Sequence, residues 1–376
     1  MSAGRPRAEA GSTVTLALCG DVMTGRGIDQ ILAQPSDPIL YEPGAGSALA
    51  YVELAEALHG PIPRRASAHY VWGDALDRLR ADAALRIVNL ETSVTISSRA
   101  LAKGINYRMH PRNAGCLVAA GIDCCTLANN HVLDWGVPGL LETLTTLEQA
   151  GIQSAGAGCD ATQAQRPALL PLPSGGRAIV VACGTASAGI PADWAAATSR
   201  PGINFLPDLS DETAARLGEE AGRLHRAGDI AIASLHWGPN WGYAIPRRFR
   251  KFAHALIDAG GFDLVFGHSS HHPKGIEVHN ERLILYGAGD FLNDYEGIRD
   301  REDFRGDLVG LYLATFAQAT GRLAGLEILP FRIRRFRLNH ASDADTQWLA
   351  KRLDRECRRL GAGIVRGSDR RLSLAW

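Results

Sequence analysis

The chain has 376 residues, 46% hydrophobic and 21% charged, with 40 basic side chains against 40 acidic ones. That profile excludes a disordered chain, and the zero balance excludes a global field drawing the protein to nucleic acid or an anionic membrane, so an anionic substrate must be gripped locally. No stretch approaches the ~20 apolar residues of a membrane span, and the seven cysteines lack paired spacing, so they read as reduced thiols of a cytoplasmic protein.

Residues 1–12 are polar and read as a disordered tail. Strand and helix patterns alternate from there: a strand over 13–20, a helix over 74–84, a strand over 85–90, a helix over 113–121 and a strand over 123–128. Between the first strand and first helix, 35–71 has Pro, Gly and Ala without a period and is expected as an insertion over the site. A helix over 138–150, stopped by Gly151, leads to a strand over 177–184. A helix over 211–226, a strand over 230–235, a helix over 246–259 and a strand over 262–266 follow. The rhythm then changes to strands over 277–278, 283–286, 308–316 and 323–338, and a helix over 344–360 precedes an Arg-rich tail. Repeated βα units predict an α/β fold, and the strand-rich end predicts a second sheet packed on the first. With no repeat or linker, one domain is expected over 13–340, followed by a C-terminal helix and tail over 341–376.

Five predicted strands end in side chains that bind metals. These are Asp21, Glu91, the run Asn129-Asn130-His131 with Asp134, His236, and the pair His268 and His271. Ligands of open α/β sheets bind beyond the carboxyl ends of the strands, so separate strand ends can deliver all of these groups to one point. Oxygen donors with imidazoles suit Mn, Fe, Zn or Mg, and no cysteine cluster points to a thiolate site. A carboxylate can bridge two cations, two ions roughly 3.5–4 Å apart can clamp an oxyanion and activate water, and an unligated His can move a proton. Each motif alone has a plainer reading as a turn, a helix cap or packing; their recurrence at strand ends favours the site. Trp237, Trp241 and Tyr243 form either core or a substrate wall. Arg108 stands as an anion clamp. His272 and the remaining histidines read as surface groups.

The motifs Gly20-Asp21-Val22-Met23, Asn89-Leu90-Glu91, Ala128-Asn129-Asn130-His131 with Asp134-Trp135-Gly136, His236-Trp237-Gly238, Gly267-His268-x-x-His271 and Gly289-Asp290-Phe291 occur in that order. This series resembles the CapA family, named for poly-γ-glutamate capsule biosynthesis, within the calcineurin-like metallophosphoesterase superfamily. The resemblance spans about 13–336 and implies a four-layer α/β sandwich of two mixed β-sheets flanked by helices. It also implies two divalent cations, one on Asp21, Glu91 and His271, the other on Glu91, Asn130, His236 and His268. His131 would be the unligated proton donor, oriented by Asp134. Superfamily phosphatases carry His where Met23 stands and Asp where Glu91 stands, and Asp290 replaces the usual CapA Asn. Three readings of function follow. The favoured one is metal-dependent hydrolysis, of a phosphoester first. The second is Cα epimerisation of a peptide, as in the relatives that mature lasso peptides. The third is a component of capsule polymer synthesis. The substrate is a small molecule or a peptide, with neither nucleic acid nor membrane as partner.

Overall fold

The computed structural model describes residues 12–298 and 302–376. The tail expected over 1–12 lies, but for Ser12, outside the described residues. Strands β1 (Thr13–Val22), β2 (Leu85–Leu90), β3 (Cys124–Thr126) and β4 (Gln153–Ala155) run parallel and side by side. Their near-continuous apolar runs are what a parallel sheet covered on both faces requires. The chain then builds a second sheet from β5 (Ala168–Pro171), β6 (Arg177–Thr185), β7 (Ile230–His236), β8 (Leu264–His268), β9 (Ile276–His279) and β10 (Arg282–Leu285), in the spatial order 5-6-7-8-10-9. It returns to the first sheet with β11 (Asp290–Leu292) beside β1, then β12 (Leu308–Ala317), β13 (Arg322–Ile333), β14 (Leu338–His340), β15 (Gly363–Arg366) and β16 (Leu372–Ala375). Both sheets are mixed, because antiparallel strands flank their parallel centres.

One apolar core lies between the sheets and joins residues of both, among them Leu16, Leu18, Ile87, Ile232 and Phe266. A second core fills the outer face of the second sheet, under the helices Asp211–Leu224 and Arg247–Asp258. The first of these helices starts where Ser210 accepts a hydrogen bond from the Thr213 N–H (3.1 Å) and Asp211 and Glu212 face the positive helix end. It buries Ala214, Leu217 and Ala221 at helical spacing. The sandwich expected from the motif series is therefore the observed architecture.

The sequence reading lacks β4, β5 and β11, and three further stretches differ from it. The strand expected over 323–338 breaks into β13 and β14, because Arg335 and Phe336 take positive φ (57° and 52°) and turn the chain. The Arg-rich end is no tail but the pair β15 and β16. There Leu372 and Leu374 are buried in alternation with half-buried neighbours, a period-2 signal masked by the surrounding polar residues. The 35–71 stretch holds a hairpin (Ile39–Glu42 with Ala45–Ser47) and the helix Leu49–His59, and it carries Glu42 and Tyr51 onto Arg26. No helix of the described residues is long and apolar enough to cross a membrane.

Arg26 is buried, pairs with Asp294 (2.5 Å) and Glu42 (3.1 Å), and stacks over the rings of Tyr51 and Tyr107. Its removal would strand two buried carboxylates. Arg26→Met is expected to cost about 3–5 kcal/mol of stability, read by urea unfolding. A loss below about 1 kcal/mol would contradict this account of the network.

Candidate metal centre

Sheet register brings the site together. Asp21 stands opposite Asn89 of β2 and Asp290 of β11, and His236 stands opposite His268. A bulge in β1 between Cys19 and Asp21 re-aims the carboxylate. The bulge needs glycine at position 20, since a Cβ there would meet the Gly289 carbonyl oxygen at 1.7 Å. After β8, Ser269 holds φ at +97°, a conformation costing a non-glycine residue about 1–3 kcal/mol. Two bonds hold it there: its N–H donates to Asp21 Oδ2 and its hydroxyl to the Gly238 carbonyl, both at 3.0 Å.

Two groups of buried donors result, Asp21 with His236 and His268, and Asp21 with His271 and Asp290; within each, the donor atoms lie within 4.8 Å of one another. The Nδ1 atoms of His236 and His268 are 2.9 Å apart, the separation of two imidazole ligands about 2.1 Å from one cation at right angles. On its other side His268 meets Ser234 Oγ (2.8 Å). That hydroxyl donates to Thr126, so it accepts the His268 Nε2–H and leaves Nδ1 unprotonated toward the centre. His236 Nε2 lies 2.9 Å from Asn130 Oδ1 and 3.9 Å from Glu91 Oε1. His271 is held between Asp290 (2.9 Å) and Asn240 (3.0 Å).

Of the six side chains expected as ligands, Asp21, His236, His268 and His271 fall within the two tight groups, and Asn130 and Glu91 stand at the Nε2 edge of His236. The carboxylate common to the two tight groups is Asp21, while Glu91 stands beside them, 3.7 Å from His131. Asp290 and Asn89 were given no role by the sequence; Asn89 donates to Asp21 Oδ1 (2.7 Å). Asp290 had a visible signal, a carboxylate directly after the Gly289 turn, whereas Asn89 looked like an ordinary strand residue. Met23, in place of the usual imidazole, is buried and accepts a weak bond from the Tyr295 hydroxyl (3.4 Å).

The donor set fits divalent cations. Glu91 Oε2 is buried without a hydrogen-bond partner. Burial, then the charges of Asp21 and Asp290, push the Glu91 carboxyl far above its ordinary range. Burial followed by Asp290 pushes Asp21 up to about 7, while burial pushes His268 down to about 3 and keeps it neutral. Since a cation binds the carboxylate form, affinity falls as pH drops through about 7, and His268 adds no further loss above pH 4. Calorimetric titration with Mn(II) is expected to show affinity weaker by about tenfold or more at pH 5.5 than at pH 7.5. Equal affinities would contradict it.

His131 lies on the solvent side of Glu91. Its Nδ1 bonds Asp134 Oδ2 (2.6 Å), leaving Nε2 toward the centre. Asp134 also accepts the Tyr107 N–H and Lys103 Nζ, both at 2.6 Å, and is fixed in place. Burial pushes His131 down to about 4 despite the pull of Asp134. Asn129 holds the turn by accepting the N–H groups of His131 and Val132.

The aromatic residues divide. Trp237 belongs to the core, stacked on Phe249 (4.9 Å) with its N–H on the Tyr286 carbonyl. Trp241 lies 5.4 Å from the His271 ring, and Tyr243 lies 4.4 Å from that of His272. Arg108 does not face the centre; its guanidinium donates to the carbonyls of Ser97 and Asp37 and stacks on Trp135. His272, expected at the surface, is buried, with Nε2 accepting the Gly242 N–H (3.1 Å) and Nδ1 donating to the Pro273 carbonyl.

Two mixed sheets in four layers, with Asp, Asn and His gathered at their strand ends, define a calcineurin-like metallophosphoesterase fold. Residues 15–295 match the family model of the bacterial capsule synthesis protein PGA_cap, and the chain belongs to that family. It is 45% identical over 368 residues to the "Probable polyglutamine synthesis accessory protein" of Mycobacterium tuberculosis, covering 96% of each chain. It is 26% identical over 297 residues to the "PGA biosynthesis protein CapA" of Bacillus subtilis, covering 77% of this chain and 66% of that one.

Proposed function

We propose that this protein is a divalent-metal-dependent hydrolase working in the synthesis of a polyglutamate- or polyglutamine-type polymer. The observation that carries the reading is the sharing of Asp21 between two buried donor groups, with a His131–Asp134 pair beside them. The names of the similar proteins support the polymer context. Asp21, His271 and Asp290 would hold one cation, and Asp21, His236 and His268 the other, with Asn130 and Glu91 beside the far ring nitrogen of His236. Divalent cations, when bound, supply Lewis acidity toward an anionic oxygen and a water of lowered pKa. The protein's own part is to exclude bulk water by burying the donors, and to take the proton of the attacking water at His131 Nε2 and pass it to the leaving group. Asp134 fixes the tautomer that leaves Nε2 free for this exchange.

The test is release of the aryl alcohol from an aryl phosphodiester by the Mn(II)-loaded full chain. Turnover that stops on chelation and returns with Mn(II) supports phosphoester hydrolysis; a loaded protein inert toward aryl mono- and diesters refutes it. A second reading, epimerisation at a peptide Cα, is favoured by one feature: a neutral His131 with Nε2 unprotonated is already in the state of a base. Deuterium wash-in at Cα of a glutamyl peptide without cleavage would select it.

A further inference from the structure

Beyond His271 an aromatic shelf leads away from the donor groups. Trp241 lies 5.4 Å from both the His271 and the Phe304 rings. Phe304 stacks on Tyr243 (5.3 Å), and Arg352 places its guanidinium 4.5 Å over the Tyr243 ring. Trp241, Tyr243, Phe304 and Arg352 are each partly exposed. Two polar groups on this shelf lack partners among the described residues. The Tyr243 hydroxyl is buried with no hydrogen bond. Arg352 rests on the ring faces of Tyr243 and Trp348, and among the described residues no carboxylate lies within ion-pair distance of it. Asp303 and Glu356 also face the phenol, but Glu356 is taken by Arg359 (2.5 Å). A guanidinium held on aromatic faces, with no carboxylate among the described residues to pair with, is suited to receive a carboxylate, and flat rings beside it suit the planar amides of an extended peptide.

We propose that this shelf is the polymer-binding subsite of the enzyme, with Arg352 and the Tyr243 hydroxyl gripping a side-chain carboxylate of a glutamyl chain whose reacting bond lies at the donor groups. This rests on the hydrolase reading and adds to it the class of substrate and the residues that select it. The family match ends at residue 295, and Phe304 and Arg352 lie beyond it. Arg352 sits on the C-terminal helix, Asp343–Arg358.

Calorimetry on the Mn(II)-loaded full chain tests the subsite without turnover. The probes are a glutamate pentapeptide and a glutamine pentapeptide, both blocked at their ends so that only the side chains differ. The glutamate peptide is expected to bind more tightly. Arg352→Gln should weaken it about tenfold or more while leaving the glutamine peptide unchanged, and Tyr243→Phe should weaken it several-fold with the ring retained. Equal binding of the two peptides, binding of neither, or indifference to Arg352→Gln would overturn the subsite. Displacement of the peptide by an equal concentration of inorganic phosphate would overturn it too, by making the guanidinium a phosphate receptor. Glutamyl binding through Arg352 by a protein that hydrolyses nothing refutes the hydrolase reading alone. Hydrolysis with peptide binding insensitive to Arg352 refutes the subsite alone.

Discussion

Asp21→Asn is expected to weaken Mn(II) binding at both donor groups at once, by more than about 100-fold, since even outer partners of metal ligands are worth 10–100-fold. Asp290→Asn should weaken only the group that contains His271, because Asp290 belongs to that group alone. The asparagine keeps the size of the side chain and an oxygen for the Ser269 N–H, and loses only the oxygen that accepts from Asn89. Stability should change in the opposite direction. Asp21 is a buried acid raised to about 7, so its contribution to folding of the metal-free protein is lost as pH rises through that value. At pH 8 the chelated Asp21→Asn protein should therefore melt at least as high as the chelated parent. Loss of metal with gain of stability identifies a group kept for binding and not for folding. Metal content unchanged by Asp21→Asn would remove the shared carboxylate from the account.

The second large effect belongs to His131. Its Nδ1 is committed to Asp134, its Nε2 stands 3.7 Å from Glu91 Oε1, and it belongs to neither tight donor group. His131→Ala should lower turnover by about 10²–10⁴-fold with metal content unchanged. Asp134→Asn should produce much of the same loss by freeing the imidazole to take the other tautomer. Elemental analysis beside the rate assay checks this, and loss of metal in His131→Ala would mean that His131 is a ligand.

Much of this site was legible because its donors follow strands whose apolar runs are continuous. Asp21, Glu91, His236 and His268 each close or directly follow a run buried on both faces, and strand-end position is readable from such a run. What sequence could not give was register. Whether Asp21 or Glu91 lies between the two donor groups depends on a one-residue bulge at Gly20 and on the parallel pairing of β1 with β11, which no local pattern encodes. The same limit applies to Trp237, whose position directly after His236 gave no hint that the side chain turns away to stack on Phe249. Arg108 looked like a free cation until the fold supplied a carbonyl to each of its two terminal nitrogens. The last two strands were hidden because half of their residues face water.

Anomalous scattering from crystals of the Mn(II)-loaded full chain reads the arrangement itself. Two peaks roughly 3.5–4 Å apart, one on each side of the Asp21 carboxylate and flanked by His271 on one side and His236 and His268 on the other, are the predicted result. A single peak, or peaks away from Asp21, would contradict the shared centre from which the proposed chemistry follows.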